Sequence, residues 1–149
     1  MSYNSVTMNA PDFAIDRSAL AAVGRAFDLN LILLYGSRVT GHVHPESDTD
    51  LGVWRRRGPL PASQILDLSY QLSQLLPPEA GELDMADLNR APGLLKHIAA
   101  EQGAALYEAM PGDLAHFRVL AWNLYQDERI AIRRHDSEAI RIALKSLTR

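Results

Sequence analysis

The stretch from Leu31 to Val53 reads LILLYGSRVTGHVHPESDTDLGV. Its first five residues are apolar or aromatic, which is the length and composition of a strand buried on both faces. Gly36 and Ser37 end this run, and the segment from Asp50 to Arg55 has the composition of a second strand. The stretch therefore predicts two strands joined by a Gly-Ser turn and a polar loop.

Two carboxylates stand at the start of the second predicted strand. Because side chains alternate along a strand, Asp48 and Asp50 project to the same side, about 6.5–7 Å apart along the backbone. Two such charges at 4 Å repel by about 4 kcal/mol at an effective dielectric constant of 20, so they require a cation or a shared proton. Oxygen-only ligands favour a hard ion such as Mg²⁺. Gly36 and Ser37 leave backbone N–H groups open to a phosphate, and the combination indicates nucleotide chemistry.

The spacing of these residues resembles the signature of the DNA polymerase β-like nucleotidyltransferase superfamily. Gly36-Ser37, ten intervening residues and then Asp48-Thr49-Asp50 form the matching motif. The details are similar to the small stand-alone branch, the minimal nucleotidyltransferases (MNT), whose third acidic position falls on Asp84 in GELDMADLN. The likeness runs from about residue 29 to 132, and its later part resembles the MNT antitoxins that are paired with HEPN-domain toxins.

The resemblance implies a fold and an activity. The fold would be α/β (α+β), a small mixed or antiparallel sheet flanked by helices, with a helical C-terminus. The activity would be transfer of AMP from ATP to a tyrosine hydroxyl of a HEPN ribonuclease toxin, which neutralises the toxin within a hetero-oligomeric complex. Two alternatives remain open: an antitoxin that acts by binding alone, and a nucleotidyltransferase for a small molecule such as an aminoglycoside.

The resemblance also implies roles for individual residues. Asp48, Asp50 and Asp84 would be the catalytic carboxylates and would hold two Mg²⁺ ions, and Asp84 could also accept the proton of the attacking hydroxyl. Gly36 and Ser37 would hold the β- and γ-phosphates of ATP. The third nucleotide-binding candidate, Arg38, would balance the triphosphate charge or meet the partner protein.

Composition restricts the class of protein. With 149 residues, 47% of them apolar and 22% charged, the chain predicts one globular domain over residues 1–149, with a loose tail over residues 1–11. A net charge of −3 argues against direct binding of nucleic acid. The absence of cysteine excludes disulfides, zinc–thiolate sites and thiol catalysis, and it suits a reducing cytoplasm. No signal-peptide pattern or membrane span is visible, so a cytoplasmic location away from membranes is expected.

The spacing of apolar residues, together with capping residues, glycine and proline, predicts the other helices and strands. They are, in chain order, a helix capped by Asp16, a helix over residues 61–76 that Pro77 stops, a strand over residues 82–88, a helix over residues 92–102 with Gly103 as its C-cap, an edge strand over residues 104–108, and helix from residue 111 onward with a possible break over residues 133–136.

Several residues allow two readings. Period-two counting puts Glu82 and Asp84 on one face of the third strand and leaves Asp87 to face away or to cap the next turn. His42 and His44 could be metal ligands, although loop histidines are usually solvated. Two further sets are ambiguous between a partner-facing or ligand-steering role and an ordinary structural one: the arginines over residues 55–57, and the aromatic residues Tyr107, Trp122 and Tyr125.

Overall fold

Four strands form one mixed sheet in the computed structural model, which describes residues 13–41 and 47–147. The spatial order is β3-β2-β1-β4. Strand β1 pairs antiparallel with β2 and β4, whereas β2 and β3 are parallel. The predicted mixed sheet is therefore confirmed. The strands are β1 (Leu31–Tyr35), β2 (Thr49–Trp54), β3 (Leu83–Asp87) and β4 (Ala104–Glu108).

Five α-helices are present in the described part of the chain. They are α1 (Arg17–Ala26), the single turn α2 (Ser37–Thr40), α3 (Ala62–Leu75), α4 (Gly93–Gln102) and α5 (Asp113–Leu147), and a 3₁₀ turn spans Pro78–Ala80. The carboxylate of Asp16 caps α1, as predicted, by accepting hydrogen bonds from the backbone N–H groups of Ser18 (2.9 Å) and Ala19 (3.1 Å).

The helices cover both faces of the sheet. On one face α1 and α3 pack against Ile32 and Leu34 of β1 and against Leu51 and Val53 of β2. On the other face α4 and α5 contribute Ala99, Ala100, Phe117 and Ala121 to a cluster that contains Leu31, Leu33 and Tyr35. All five residues of β1 are buried, which is why this strand reads as a continuous apolar run.

The parallel pairing of β2 and β3 determines where the acidic residues meet. Parallel strands need a long crossover, and here α3 supplies it between the end of β2 and the start of β3. The crossover returns the chain to the same end of the sheet at which β2 began. Asp84 consequently stands in register with Asp50.

The predicted break in the C-terminal helix is wrong. Helix α5 runs without interruption over 35 residues, from Asp113 to Leu147. The segment 133–136 reads RRHD. It interrupts the apolar pattern, yet it contains neither glycine nor proline, and its residues cost at most about 0.7 kcal/mol each in a helix.

Smaller differences concern the ends of elements. Strand β2 begins and ends one residue earlier than predicted. Gly103 does occupy the C-cap of α4, but its φ of −71° is ordinary extended backbone, so no left-handed cap is formed. A side chain at Gly103 would instead meet the carbonyl of Ala99.

Two sequence-based expectations fall on residues outside the described ranges, namely the tail at residues 1–11 and the loop histidines His42 and His44. The single-domain assignment stays a prediction. None of the helices over residues 13–41 and 47–147 combines the length and the hydropathy that crossing a bilayer requires.

Candidate active site

Three side chains meet at one end of the sheet on the face that α4 and α5 cover. Tyr35 is paired with Asp50 across the antiparallel β1–β2 ladder, and Asp50 is paired with Asp84 across the parallel β2–β3 ladder. Directly paired residues project to the same face of a sheet. Tyr35 belongs to the cluster under α4 and α5, so the two carboxylates emerge on that face beside its phenol ring. Asp84 is exposed and Asp50 is partly buried, so this end of the face is open.

The carboxylates of Asp48, Asp50 and Asp84 lie close enough for their negative charges to repel one another. Burial, and then the charges of Asp84 and Asp48, raise the pKa of Asp50. Burial, and then the charges of Asp50 and Asp84, raise the pKa of Tyr35 to about 12. The phenol therefore keeps its proton at neutral pH, and the carboxylates gain stability from any cation that binds between them.

Gly36 lies directly against the carboxylate of Asp50. A Cβ atom at this position would collide with Oδ2 of Asp50. The backbone angles of Gly36, φ +76° and ψ −153°, belong to a region that is essentially restricted to glycine. Both facts require glycine here, and they place the turn after β1 within contact distance of the acidic group.

Ser37 is the first residue of the single turn α2, immediately after Gly36. The turn is closed by hydrogen bonds from the N–H groups of Val39 (3.1 Å) and Thr40 (3.2 Å) to the carbonyl of Gly36. This geometry fixes Ser37 next to Gly36, and its contact with a nucleotide stays a prediction.

Arg38 is buried, with 5% of its surface exposed. Its guanidinium donates hydrogen bonds to the carbonyls of Ser47, Asp48 (3.2 Å) and Glu79 (3.0 Å). These bonds join the segment before β2 to the turn before β3, and they hold Asp48 in place through its backbone. The geometry favours a positioning role, and direct contact of Arg38 with a nucleotide stays a prediction.

Thr49 strengthens the same junction. Its hydroxyl donates to the carbonyl of Ala80 (2.6 Å), and its N–H donates to the carbonyl of Glu82 (2.9 Å). Thr49 is fully buried, so the residue between Asp48 and Asp50 has a structural function. The sequence motif alone predicts no role for Thr49 or Tyr35. Tyr35 could have been recognised as the residue that immediately precedes Gly36 at the end of a strand.

The fit of this site to Mg²⁺ follows from its donor set. Within residues 13–41 and 47–147, no three His, Cys, Asp or Glu side chains are grouped as a ready-made metal site. Mg²⁺ does not need such a group, because it is usually held by one or two carboxylates together with substrate phosphates and water. Asp50 and Asp84, with Asp48 nearby, suit that mode of binding.

The arginines and aromatic residues singled out in the sequence lie elsewhere. Arg56 donates to the buried carboxylate of Asp113 (2.8 Å), and Arg57 pairs with Asp28 (3.2 Å), so these arginines stabilise the opposite end of β2.

The Asp87 carboxylate accepts from the N–H of Asn89 (3.0 Å), which confirms its predicted role in the turn.

Of the three aromatic residues that could be structural or partner-facing, Tyr107 and Tyr125 pack against other residues of the chain, whereas Trp122 offers exposed surface to a partner. Tyr107 packs against Gly24 of α1, and Tyr125 stacks on His97 at 4.5 Å between ring centroids. Trp122 is half exposed.

Comparison with known proteins agrees with this geometry. Residues 22–111, more than half of the chain, match the family described as polymerase beta, nucleotidyltransferase. The chain belongs to the polymerase β nucleotidyltransferase family. The matched range includes the Gly-Ser turn and all three carboxylates.

A curated relative of this nucleotidyltransferase is the protein adenylyltransferase MntA of Aphanizomenon flos-aquae (strain 2012/KM1/D3). The two are 31% identical over 94 residues, which cover 57% of this chain. The chain spans about 60% of the length of that relative.

Solved structures share the fold of this nucleotidyltransferase. A toxin–antitoxin crystal structure with AMP-PNP matches with a TM-score of 0.66 at 23% identity, covering 85% of this chain and 99% of the other. A tri-AMPylated Shewanella oneidensis HEPN toxin in complex with an MNT antitoxin matches with a TM-score of 0.60 at 21% identity, covering 83% and 95%. At these identities the likeness establishes the fold.

Proposed function

We propose that this chain transfers AMP from ATP to a tyrosine hydroxyl of a HEPN-domain ribonuclease toxin, and that it neutralises the toxin in this way. The observation that carries the proposal is the register of Asp50 with Asp84, together with the position of Gly36 against the Asp50 carboxylate. The choice of acceptor is supported by the relative named as a protein adenylyltransferase and by the fold shared with an MNT antitoxin bound to an AMPylated HEPN toxin.

The reaction is a displacement at phosphorus. The tyrosine oxygen of the toxin bonds to the α-phosphorus of ATP, the bond from that phosphorus to the bridging oxygen of the β-phosphate breaks, and pyrophosphate leaves. Asp84, the more exposed of the paired carboxylates, accepts the tyrosine proton. Gly36 and Ser37 lie along the β- and γ-phosphates and hold the leaving group in line with the attack.

The carboxylates of Asp48, Asp50 and Asp84 would hold two Mg²⁺ ions, which would supply positive charge to stabilise the transferred phosphate. Arg38 keeps Asp48 at the site through its backbone carbonyl. Burial, followed by the charges of Asp50 and Asp84, raises the pKa of Tyr35 to about 12. Since ATP and a ribonuclease toxin meet inside the cell, we place the activity in the cytoplasm.

Intact-mass spectrometry tests this function. A candidate HEPN-domain toxin is incubated with the chain, ATP and Mg²⁺, and it should gain one or more AMP units. Asp50→Asn should abolish the gain, because it removes the carboxylate of the central residue of the site, which is paired with Tyr35 on one side and with Asp84 on the other. Asp67→Asn changes an exposed carboxylate on α3 and is the matched control that should retain full labelling.

The alternatives make different predictions in the same assay. Tight binding of the toxin without any gain in mass would reject catalysis and would leave neutralisation by contact. Labelling of an aminoglycoside in place of the toxin would reject the protein acceptor.

A further inference from the structure

The outer half of α5 extends beyond the packed part of the molecule. Every residue from 129 to 146, a segment we call the arm, is exposed. The inner half of the helix is anchored to the sheet by the buried residues Phe117 and Ala121. At 1.5 Å per residue the arm is about 27 Å long.

The arm carries more apolar surface than a solvated helix requires. Its large aliphatic side chains are between 46% and 61% exposed. Single exposed aliphatic residues are common, but several together on one short helical segment mark an interaction site. These side chains are Ile130, Ile132, Ile140, Ile142 and Leu144.

Part of this surface continues along the inner half of the helix. At 3.6 residues per turn, one side of α5 carries a line of exposed residues that faces away from Phe117 and Ala121. Trp122 is 48% exposed on this line. We call this line the stripe; it consists of Val119, Trp122, Ile130, Arg133, Ile140 and Leu144.

The composition of the stripe indicates a protein as its partner. Tryptophan and arginine are enriched among the residues that dominate protein–protein binding. A nucleic acid would use the cations of the arm but has no use for its aliphatic side chains, which would remain in water. Exposed aliphatic residues next to arginines fit a protein surface that is apolar at its centre and acidic at its rim.

Charge distinguishes between a different protein and a second copy of this chain. The arm contains five cationic and two anionic residues, so it is positive, whereas the rest of the chain contains ten cationic and sixteen anionic residues. Pairing two arms would set like charges against each other along their length. An acidic partner surface is attracted instead.

The location of the stripe suits an acceptor protein. Helix α5 packs on the same face of the sheet from which Asp50 and Asp84 emerge, because Phe117 and Ala121 share a cluster with Tyr35. A protein bound along α5 therefore lies over the same face of the sheet as the carboxylates, although α5 begins at the opposite end of β2, where Asp113 binds Arg56.

We propose that the stripe is the docking surface for the protein that receives the nucleotidyl group, and that this partner presents an apolar helical face with acidic residues along its rim. The inference rests on the proposed function, from which it takes the HEPN toxin as the partner. Docking along α5 brings the toxin to the enzyme, while the carboxylates carry out the transfer.

Binding of the purified toxin to the full chain tests the proposal. Ile140→Asp and Arg133→Glu should each weaken the affinity roughly 30-fold, the effect of losing one dominant interface residue. Leu66→Asp is the matched control, because Leu66 is an aliphatic residue of α3 that is 79% exposed and lies off the stripe. Circular dichroism verifies that all three variants keep their helix content. Unchanged affinity in both stripe variants would overturn the proposal.

Transfer kinetics separate docking from catalysis. Ile140→Asp should need a correspondingly higher toxin concentration to reach half-maximal labelling, with an unchanged maximal rate. Asp50→Asn should bind the toxin normally and label nothing. If the stripe variants lose binding but the parent chain never labels the toxin, docking stands and the transferase function fails. If they label like the parent at every toxin concentration, docking fails and the function stands.

Other occupants give distinct results. A parent chain that elutes as a dimer and becomes monomeric on Ile140→Asp would show that a second copy covers the stripe, which overturns the proposal. A labelled RNA that binds the parent, and that Arg133→Glu but not Ile140→Asp releases, would overturn it as well.

Discussion

Asp50 is held in an environment that disfavours its charge. Its carboxylate is partly buried, stands next to Asp84 and lies against Gly36, where only a hydrogen atom fits. Burial and the two neighbouring carboxylates raise its pKa. The residue destabilises the free protein at neutral pH, and the same arrangement creates affinity for cations.

The first prediction concerns the stability of Asp50→Asn. A raised pKa in the folded state means that the folded protein loses stability as the pH rises through that pKa. At pH 7, removing the charge should stabilise the fold by about 1 kcal/mol, the scale for like charges on paired strands. For a chain of this length that is an increase in melting temperature of roughly 2–4 °C.

Differential scanning calorimetry of both proteins between pH 3 and pH 8, without divalent ions, measures this effect. The gain should disappear toward the acid end, where Asp50 is protonated in the parent. A gain that persists at pH 3 would show that the effect is not electrostatic. Asp67→Asn again serves as the control, and it should change the melting temperature little at any pH.

The turn at Gly36 was predictable because its signals are local, and the structure contains it. Strand periodicity predicts Asp48 and Asp50 as a pair, although β2 begins only at Thr49; their catalytic role stays a prediction. Arg38 shows the limit of this reasoning, because its side chain bonds to the carbonyls of two segments that come together only in the folded chain. No pattern near Arg38 in the sequence encodes those partners.

At the scale of elements, the start of α5 is fixed by one buried carboxylate. Asp113 accepts hydrogen bonds from Arg56 (2.8 Å), from the N–H of Met110 (3.0 Å) and from the amide of Asn30 (3.3 Å). Burial alone would raise the pKa of Asp113, but these bonds and the charge of Arg56 lower it overall. Helix α5 is thereby joined to the ends of β1 and β2.

The second prediction is that Asp113→Ala destabilises the fold by about 2–4 kcal/mol at pH 7, because it leaves the partners of a buried carboxylate unsatisfied. A lowered pKa gives stability that is present above the unfolded-state pKa and is lost as the pH falls through the folded-state pKa. The difference between variant and parent should therefore shrink in strong acid. Urea unfolding at pH 7 and at low pH measures it.

Asp28→Asn is the control for this prediction. Asp28 pairs at the surface with Arg57 (3.2 Å), where both side chains are mostly exposed, and more distantly with the less exposed Arg55 (3.9 Å); surface ion pairs contribute about 1 kcal/mol or less. Its φ of +56° is well tolerated by asparagine. Equal losses in the two variants would show that burial of Asp113 is not what makes it important.

Element boundaries were predictable to within a residue or two where glycine, proline or a cap marks them, as at Asp16 and Pro77. The sequence also places Asp84 on the correct face of β3. It does not reveal that β3 lies beside β2, since that depends on how the crossover through α3 packs. The predicted break over residues 133–136 is wrong because a gap in the apolar periodicity shows only that those residues do not face a core. It does not show that the helix ends there.

At the scale of the whole molecule, the described chain has a packed part and an exposed arm. Near the middle of α5, the N–H of Gly93 donates a hydrogen bond to the carboxylate of Glu128 (2.9 Å) and ties the helix to the packed part. Beyond it, residues 129–146 are exposed and bury no core. Folding of the packed part should therefore not depend on the arm.

The third prediction follows from this division. A chain that stops after Ile130 should melt within roughly 2–4 °C of the parent, equivalent to about 1 kcal/mol, and should lose helical signal in proportion to the residues removed. A chain that stops after Val119 loses Ala121 and Glu128 and should not fold. Thermal unfolding followed by circular dichroism measures both. A large drop on the shorter deletion would show that the arm contributes to the core.

The exposure of the arm also has an evolutionary consequence. Substitutions on an exposed helix face change stability by about 0.5 kcal/mol or less, whereas replacing Gly36 requires a change in Asp50 and in the backbone of the turn. Selection can therefore alter the residues of the arm rapidly while the carboxylate site stays fixed. Lineages that carry this fold can acquire new protein partners by mutation along a single helix, without passing through an unfolded ancestor.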